Sequence, residues 1–278
     1  MSLSTDITQV RDSAATEYAN PTGNTNAPAS STWATRVIER GPKTRALVDI
    51  VMPVYNEGEN ITSVLQSLDG VVKTPYRLLI CYDHDNDSTL PPARAFKGNV
   101  DIEFVKNKGK GVLGAVMSGF DFAQAPAVLI YCGDDVTNAN LIDKMYNKLA
   151  EGHDMVVGSR FIDGGCMVGC PFVKSFLVRT AAYTLRTLAR LPVADPTNGI
   201  RIYTNRVIKE IPIESTEGWS FNLELLVKGA RAGMSIAEVP YQHYERAQGE
   251  SRFQVMKWLP AYLRWYFYAF ATAWKSHS

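Results

Sequence analysis

Apolar residues recur with two different periods along this chain. Residues 47–54 (LVDIVMPV) form a short, apolar, β-branched run, which predicts a buried strand. Pro53 and Asn56 end it, and over residues 60–68 the spacing becomes helical, with Ile61, Val64, Leu65 and Leu68 on one face and Asp69-Gly70 as the stop. Further strands are predicted at residues 77–82, 100–105, 127–131 and 155–158, with helices over 111–125 and 140–150. Strands alternating with helices of this length imply an α/β domain built on a doubly wound, mostly parallel sheet. The second half reads as helices over 172–191 and 221–232, a strand over 235–244, and polar loops at 195–199 and 247–253. Residues 1–44, rich in Ser, Thr, Asn and Ala, hold too little apolar surface to fold and predict a disordered tail without the apolar segment of a signal peptide. The domain then covers residues 45–253, and an aromatic helix follows over 254–278.

Composition narrows this only a little. Hydrophobic residues make up 46% and charged residues 21%, and the formal net charge of +1 provides no global field for nucleic acid. Cys81, Cys132, Cys166 and Cys170 lack the spacing of a disulfide framework, which favours a reduced, cytosolic setting. Cys166 and Cys170 have no second Cys/His pair at ligand spacing, so a zinc site is not expected.

The polar clusters carry more information. Ligands of open α/β sheets bind outside the carboxyl ends of the strands. Asn56-Glu57, Asp83 to Asp87, Asp134-Asp135 and Ser159-Arg160 each follow a predicted strand, and four such clusters argue for one shared site. Asp134 and Asp135 offer hard oxygen ligands for Mg²⁺ or Mn²⁺. Alternatively, they are an acidic pair at a helix N-terminus. Lys108-Gly109-Lys110-Gly111 precedes a helix, so its backbone N–H groups could face a phosphate. It lacks P-loop spacing, and no G-x-G-x-x-G follows the first strand, which weakens a nicotinamide enzyme.

Several motifs together resemble the inverting family 2 glycosyltransferases, and within them the dolichol-phosphate mannose synthase branch. They are Pro53-Val54-Tyr55-Asn56-Glu57, the acidic loop Asp83 to Asp87, Gly158-Ser159-Arg160 with Gly164-Gly165, Asp195-Pro196-Thr197-Asn198-Gly199, Glu224, Glu238-Val239-Pro240 and Arg246-Ala247-Gln248-Gly249-Glu250-Ser251-Arg252. The resemblance implies a GT-A-type fold and a nucleotide-sugar donor, a GDP- or UDP-sugar. It implies nucleotide contacts at Pro53, Tyr55, Asn56, Glu57, Asp83, Asp87, Lys110, Gly133 and Arg246. The family's metal-binding D-x-D falls on Cys132-Gly133-Asp134, so Asp134 is expected to hold Mg²⁺ or Mn²⁺ with Asp135 as a second ligand.

In that branch the acceptor is a polyprenyl phosphate, already ionised near neutral pH, which needs cations rather than a general base. Arg160, Lys174, Arg179, Ser251 and Arg252 are the candidates; Lys174, Arg179 and Arg186 read equally as a solvated helix face. With a hydroxyl acceptor instead, Glu224 or Asp195 would have to serve as base. Glu224 also fits a buried structural role, and His243 reads as packing. A third possibility is a nucleotide-sugar-binding protein with a degenerate metal site. The aromatic stretch from Trp258 to Trp274 is too short to span a bilayer, and Arg264 interrupts it. It suits a helix lying on a membrane surface, or one packed on the domain or on a second copy of the chain.

Overall fold

The computed structural model describes residues 46–244 and 255–274, with side chains described up to 244 and from 259. The expected tail at 1–44 lies outside the described residues.

Seven strands form the main sheet in the order β3-β2-β1-β4-β7-β5-β8. They are β1 (Val48–Val54), β2 (Tyr76–Tyr82), β3 (Ile102–Lys106), β4 (Ala127–Ile130), β5 (Met155–Ser159), β7 (Arg201–Thr204) and β8 (Ile236–Pro240). All run parallel except β7, which lies antiparallel between β4 and β5. Strands β6 (Cys166–Val168) and β9 (Gln242–Tyr244) pair separately. Helices α1 (Ile61–Val71), α2 (Leu90–Ala95) and α4 (Leu141–Ala150) accompany α3 (Gly111–Phe122), α5 (Phe172–Thr187), α6 (Asn205–Glu210), α7 (Phe221–Arg231) and α8 (Val255–Ala271).

Period-two alternation in the strands divides the core. Ile50, Met52, Leu78 and Ile80 pack with α1 and α4, whereas Val51, Leu79 and Cys81 pack with α3. Phe221, Leu225 and Leu226 of α7 belong to this second layer, as do Trp265 and Ala269 of α8. The C-terminal helix is thus seated on the domain along one face. Trp265 donates its indole N–H to Ser215 Oγ at 2.8 Å, and Tyr266 Oη lies 2.8 Å from Thr184 Oγ1 on α5. Among the described residues, no helix is long and apolar enough to cross a membrane.

Three departures from the sequence reading have physical causes. The strand expected over 235–244 breaks, because Pro240 has no N–H for the ladder. Tyr241 then bridges the two sheets: its N–H donates to Ser159 O at 2.8 Å, and its carbonyl accepts from Cys166 N at 3.1 Å. Strand β7 is only four residues long and begins with a fully buried arginine, so its pattern does not read as a strand. Helix α2 carries Pro91 and Pro92 directly after its first residue, Leu90, which a first helical turn tolerates.

Candidate active site

Strand order reverses between β1 and β4: from β1 the chain builds outward through β2 and β3, then returns to the other side at β4. Loops leaving β1 and β4 therefore diverge, and a crevice opens at their carboxyl ends. Because β2, β4 and β5 point the same way, Asp83, Asp134 and Arg160 all stand on this one rim.

The loop after β1 is laced to the loop after β2. Asn56, held at φ 55° in the left-handed region that asparagine tolerates, donates its N–H to both carboxylate oxygens of Asp87 at 3.1 Å. Ser88 N returns a bond to Asn56 Oδ1 at 3.2 Å, and Glu57 N donates to Thr89 Oγ1 at 2.9 Å. Tyr55 stays exposed, its ring edge-on to His84 with centroids 5.5 Å apart. Glu57 Oε2 accepts from Asn60 Nδ2 at 2.7 Å. On the far side of β2, Asp83 Oδ1 accepts from Asn107 Nδ2 at 2.6 Å.

The β4 loop closes against β1. A Cβ on buried Gly133 would lie 3.2 Å from Val54 Cγ1 and 3.8 Å from Glu57 Cγ, so Glu57 and the Cys132–Asp134 turn are neighbours. Asp134 is half-buried there. Across β5, Asp195 grips Arg160 in a two-pronged pair, Nε–Oδ2 2.6 Å and Nη2–Oδ1 2.8 Å, and Arg160 Nη2 also donates to Thr197 Oγ1 at 2.7 Å. Burial alone would raise the Asp195 carboxyl, but the hydrogen bonds and charge of Arg160 outweigh it and hold the group below the usual carboxylate range. Arg160 and Arg179 of α5 both stack on Phe161, at 5.3 and 5.0 Å from its ring centre, which brings α5 to the same rim.

These contacts sort the residues expected from sequence. Asp87, expected as a nucleotide contact, is buried, and its carboxylate accepts from the N–H groups of Asn56 and Thr89. Asp135, expected as a metal ligand, is buried as well. Its oxygens accept from Thr137 N at 3.0 Å, Asn138 N at 3.0 Å, Asn138 Nδ2 at 2.9 Å and Tyr241 Oη at 3.2 Å. Glu224 is fully buried and anchors the 211–220 loop through Glu214 N at 2.5 Å, Ser215 N at 2.8 Å and Lys228 Nζ at 2.7 Å. That set of partners holds the carboxylate that the sequence offers as a base. Arg160, expected on the acceptor phosphate, bonds to Asp195 and Thr197. The Lys108–Gly111 loop does not present all its N–H groups outward: Lys108 N donates to Ser118 Oγ at 2.9 Å and Gly109 N to Asn107 Oδ1 at 2.7 Å. Lys110 remains exposed before α3, Lys174 is half-buried and Arg179 exposed on α5, and Pro53 is half-buried at the end of β1. Arg246, Ser251 and Arg252 lie outside the described residues.

Asn107 and Arg201 escaped the sequence reading, and Glu238 entered it only within a motif, without a role. Asn107 ties Asp83 to the glycine loop, its amide also donating to Gly111 O at 3.0 Å. Glu238 receives the N–H groups of Ala194 and Asp195 at 2.8 and 3.0 Å and so sets the 195–199 loop. Fully buried Arg201 donates to the carbonyls of Asn198 at 2.9 Å, Pro196 at 2.6 Å and Asn222. One signal was available. Asp87-Ser88-Thr89, Asp135-Val136-Thr137 and Asp195-Pro196-Thr197 share Asp-x-Thr, and in each the aspartate accepts the threonine N–H, at 2.8, 3.0 and 3.3 Å. Such turns mark carboxylates that shape loops. Asp83, Asp134 and Glu57 lie outside that pattern.

The family model for Glycosyl transferase family 2 matches residues 49–214. The chain is 25% identical over 211 residues to the dolichol-phosphate mannosyltransferase of Pyrococcus furiosus, covering 74% of this chain and 59% of that one. It is 30% identical over 203 residues to the dolichyl-phosphate hexose transferase of Haloferax volcanii, covering 73% and 85%. It is also 26% identical over 235 residues to the polyprenol monophosphomannose synthase of Mycolicibacterium smegmatis, covering 78% and 88%. Among solved structures, glucosyl-3-phosphoglycerate synthase from Mycobacterium tuberculosis, in complex with Mn²⁺, UDP-glucose and phosphoglyceric acid, superimposes with a TM-score of 0.63 at 18% identity, over 84% of this chain and 86% of that one.

Proposed function

Because the chain belongs to glycosyl transferase family 2, we propose that it is an inverting hexosyltransferase that moves a sugar from a nucleoside-diphosphate sugar to a polyprenyl phosphate. The acceptor class is the one its relatives' names carry. The observation that supports it best is the sorting of the carboxylates. A hydroxyl acceptor needs a general base with a free lone pair near neutral pH. Of the two carboxylates the sequence offers for that task, Asp195 is bound to Arg160 and Glu224 to Lys228. A phosphate acceptor is ionised already and needs only cations to aim it.

Tyr55 and Asp83 take the nucleoside side of the crevice, and Asp134 the diphosphate. Lys174 and Arg179, together with Ser251 and Arg252, meet the acceptor phosphate, and Arg246 the donor. Arg160 and Asp195 act as one unit that fixes the loop carrying Thr197. The donor set fits a divalent cation that arrives with its substrate. Among the described residues no cluster of three ligating side chains occurs, so Asp134, beside Gly133, would supply one hard oxygen ligand and the donor's diphosphate with water the others, while Asp135 is engaged with Asn138. When bound, the ion offsets charge developing on the leaving phosphate. The lipid acceptor places the enzyme peripherally at the cytosolic membrane face.

The test is transfer of radiolabelled sugar from a panel of GDP- and UDP-sugars into a polyprenyl phosphate, read as label extracted into organic solvent. One donor is expected to label the lipid in a cation-dependent way. Asp134→Ala should lower that rate by on the order of 10²–10³-fold with unchanged circular dichroism. Label from no donor, or undiminished transfer by the variant, overturns the assignment.

A further inference from the structure

Packing leaves one buried polar group near the rim unused. Asn222, in the first turn of α7, is 3% exposed, and its Nδ2 has no hydrogen-bond partner among the described residues. Buried amides are normally paired, so an orphan of this kind points to a missing partner. The rest of the residue is engaged. Tyr203 donates its hydroxyl to Asn222 Oδ1 at 3.1 Å, and Arg201 donates to the Asn222 carbonyl. Arg201 also hydrogen-bonds to the Tyr203 hydroxyl. A guanidinium only donates, so the tyrosine's single proton goes to Oδ1, which fixes the amide with Nδ2 turned the other way.

Nδ2 faces a gap in the 195–199 loop. A Cβ on half-buried Gly199 would lie 3.6 Å from Nδ2 and 4.0 Å from Cε3 of Trp219. Gly199 is not in the left-handed region, so its backbone does not demand glycine, and the absent side chain leaves the amide facing an opening. Trp219 is half-buried and stacks on Phe221, with ring centres 6.0 Å apart. The gap also falls at a telling point along the rim. The strands there follow the order β2-β1-β4-β7-β5, and antiparallel β7 begins where β4 and β5 end, Arg201 pairing with Ile130 and Val157. Gly199, two residues earlier, thus stands beyond the β4 end on the side away from Tyr55 and Asp83. With a nucleoside over β1 and β2 and a diphosphate beside Asp134, the group carried on the second phosphate comes to lie over the start of β7.

We propose that Gly199, Trp219 and Asn222 form the subsite for the donor's hexose, with Asn222 Nδ2 donating to one sugar hydroxyl and the Trp219 indole turning onto the apolar C–H face of the ring. Neighbouring atoms close Nδ2 off, so the sugar reaches it through the Gly199 gap as the indole turns. A buried donor that a substrate hydroxyl satisfies selects against analogues lacking that hydroxyl, which makes Asn222 a specificity residue. The proposal rests on the nucleotide-sugar reading above and is independent of the acceptor.

The experiment is isothermal titration calorimetry on the full chain with Mn²⁺, comparing UDP with UDP-glucose and UDP-galactose, and GDP with GDP-mannose. Asn222→Asp keeps the oxygen that Tyr203 donates to and removes only the amide N–H groups. Gly199→Ala covers Nδ2 with a methyl group at ordinary contact distance, so its unfolding midpoint should not fall. Both variants, and Trp219→Ala, should bind the nucleoside diphosphate within about twofold of wild type and lose about tenfold or more for the nucleotide-sugar. Wild-type nucleotide-sugar affinity in Asn222→Asp and Gly199→Ala overturns the proposal, because a buried water then satisfies the amide. Equal losses for the nucleoside diphosphate and its sugar also overturn it, since they report a disturbed loop. If the wild type binds none of these nucleotides, the transferase reading itself falls and takes the subsite with it. That result is distinct from nucleotide binding that the variants leave untouched.

Discussion

Replacing Asp195 with asparagine removes one charge and little volume, which makes it a sharp probe of the rim. In the native protein Asp195 is fully buried and Arg160 is 11% exposed. The carboxylate accepts from Arg160 Nε, Nη2 and backbone N and from Thr197 Oγ1, at 2.6, 2.8, 3.0 and 2.9 Å. Asparagine can keep one or two of these bonds, but it leaves the guanidinium buried without a counter-charge. Breaking one partner of such a pair costs about 3–5 kcal/mol. The retained bonds put Asp195→Asn at the low end, about 3 kcal/mol. With a urea m-value of about 2 kcal/mol per M, the unfolding midpoint, read by tryptophan fluorescence, should drop by about 1.5 M. The effect must also carry a pH signature. The folded-state pKa of Asp195 lies below its unfolded value of about 3.9, so its contribution is full above that value and is lost as pH falls through the folded one. Wild type and variant should therefore differ fully at pH 7 and converge in strong acid. Equal midpoints at pH 7, or a gap unchanged at pH 2–3, would refute the claim that this charge pair holds the 195–199 loop.

Three further outcomes follow from the same structure. Glu224→Gln should cost about 1–3 kcal/mol, because Glu214 N, Ser215 N and Lys228 lose their charged acceptor. Turnover per folded molecule should stay within about threefold, and a loss like that of Asp134→Ala would restore Glu224 as a catalytic group. Gly114→Ala gains about 1 kcal/mol of helix propensity. It also places a Cβ 2.8 Å from Gly109 C, an overpacking that costs about 1–3 kcal/mol, so thermal unfolding should show net destabilisation. Burial pushes the Cys81 thiol up to about 12, so at pH 8 a maleimide should label half-buried Cys132, Cys166 and Cys170 first and reach Cys81 only in urea. Peptide mass spectrometry reads the order, and early Cys81 labelling would contradict the packing of β2 on α3.

The sequence was most legible where one physical rule acted alone. Strands β1 to β5 announced themselves through runs of residues such as Val51, Leu79 and Val156 that are buried in the sheet. Their order along the chain was enough to imply a parallel, doubly wound sheet. Strand β7 was hidden because Arg201, which looks like a surface cation, is satisfied inside the protein by three carbonyls. The rim was legible as a place but not as a set of roles. A carboxylate at a strand end can face a ligand or hold a backbone turn, and composition does not tell the two apart. Asp87 and Asp135 hold turns, and only the threonine two residues on reveals it. Pairings across the fold, such as Asp195 with Arg160 and Glu224 with the 211–220 loop, depend on long-range closure that no local window contains. The aromatic C-terminal stretch turned out to serve two surfaces, Trp265 and Ala269 facing the core and Phe267 facing outward.

The central claim is that one crevice, between the loops after β1, β2 and β4, receives the nucleoside diphosphate. A crystal structure with the preferred nucleoside diphosphate and Mn²⁺ tests it directly. The account predicts the base beside Tyr55 and Asp83 and the diphosphate beside Asp134, with Asp87 and Asp135 still bound to their backbone partners. A nucleotide at the opposite rim, near the Asp49–Arg77 pair, or one contacting Asp135 but not Asp134, would contradict it.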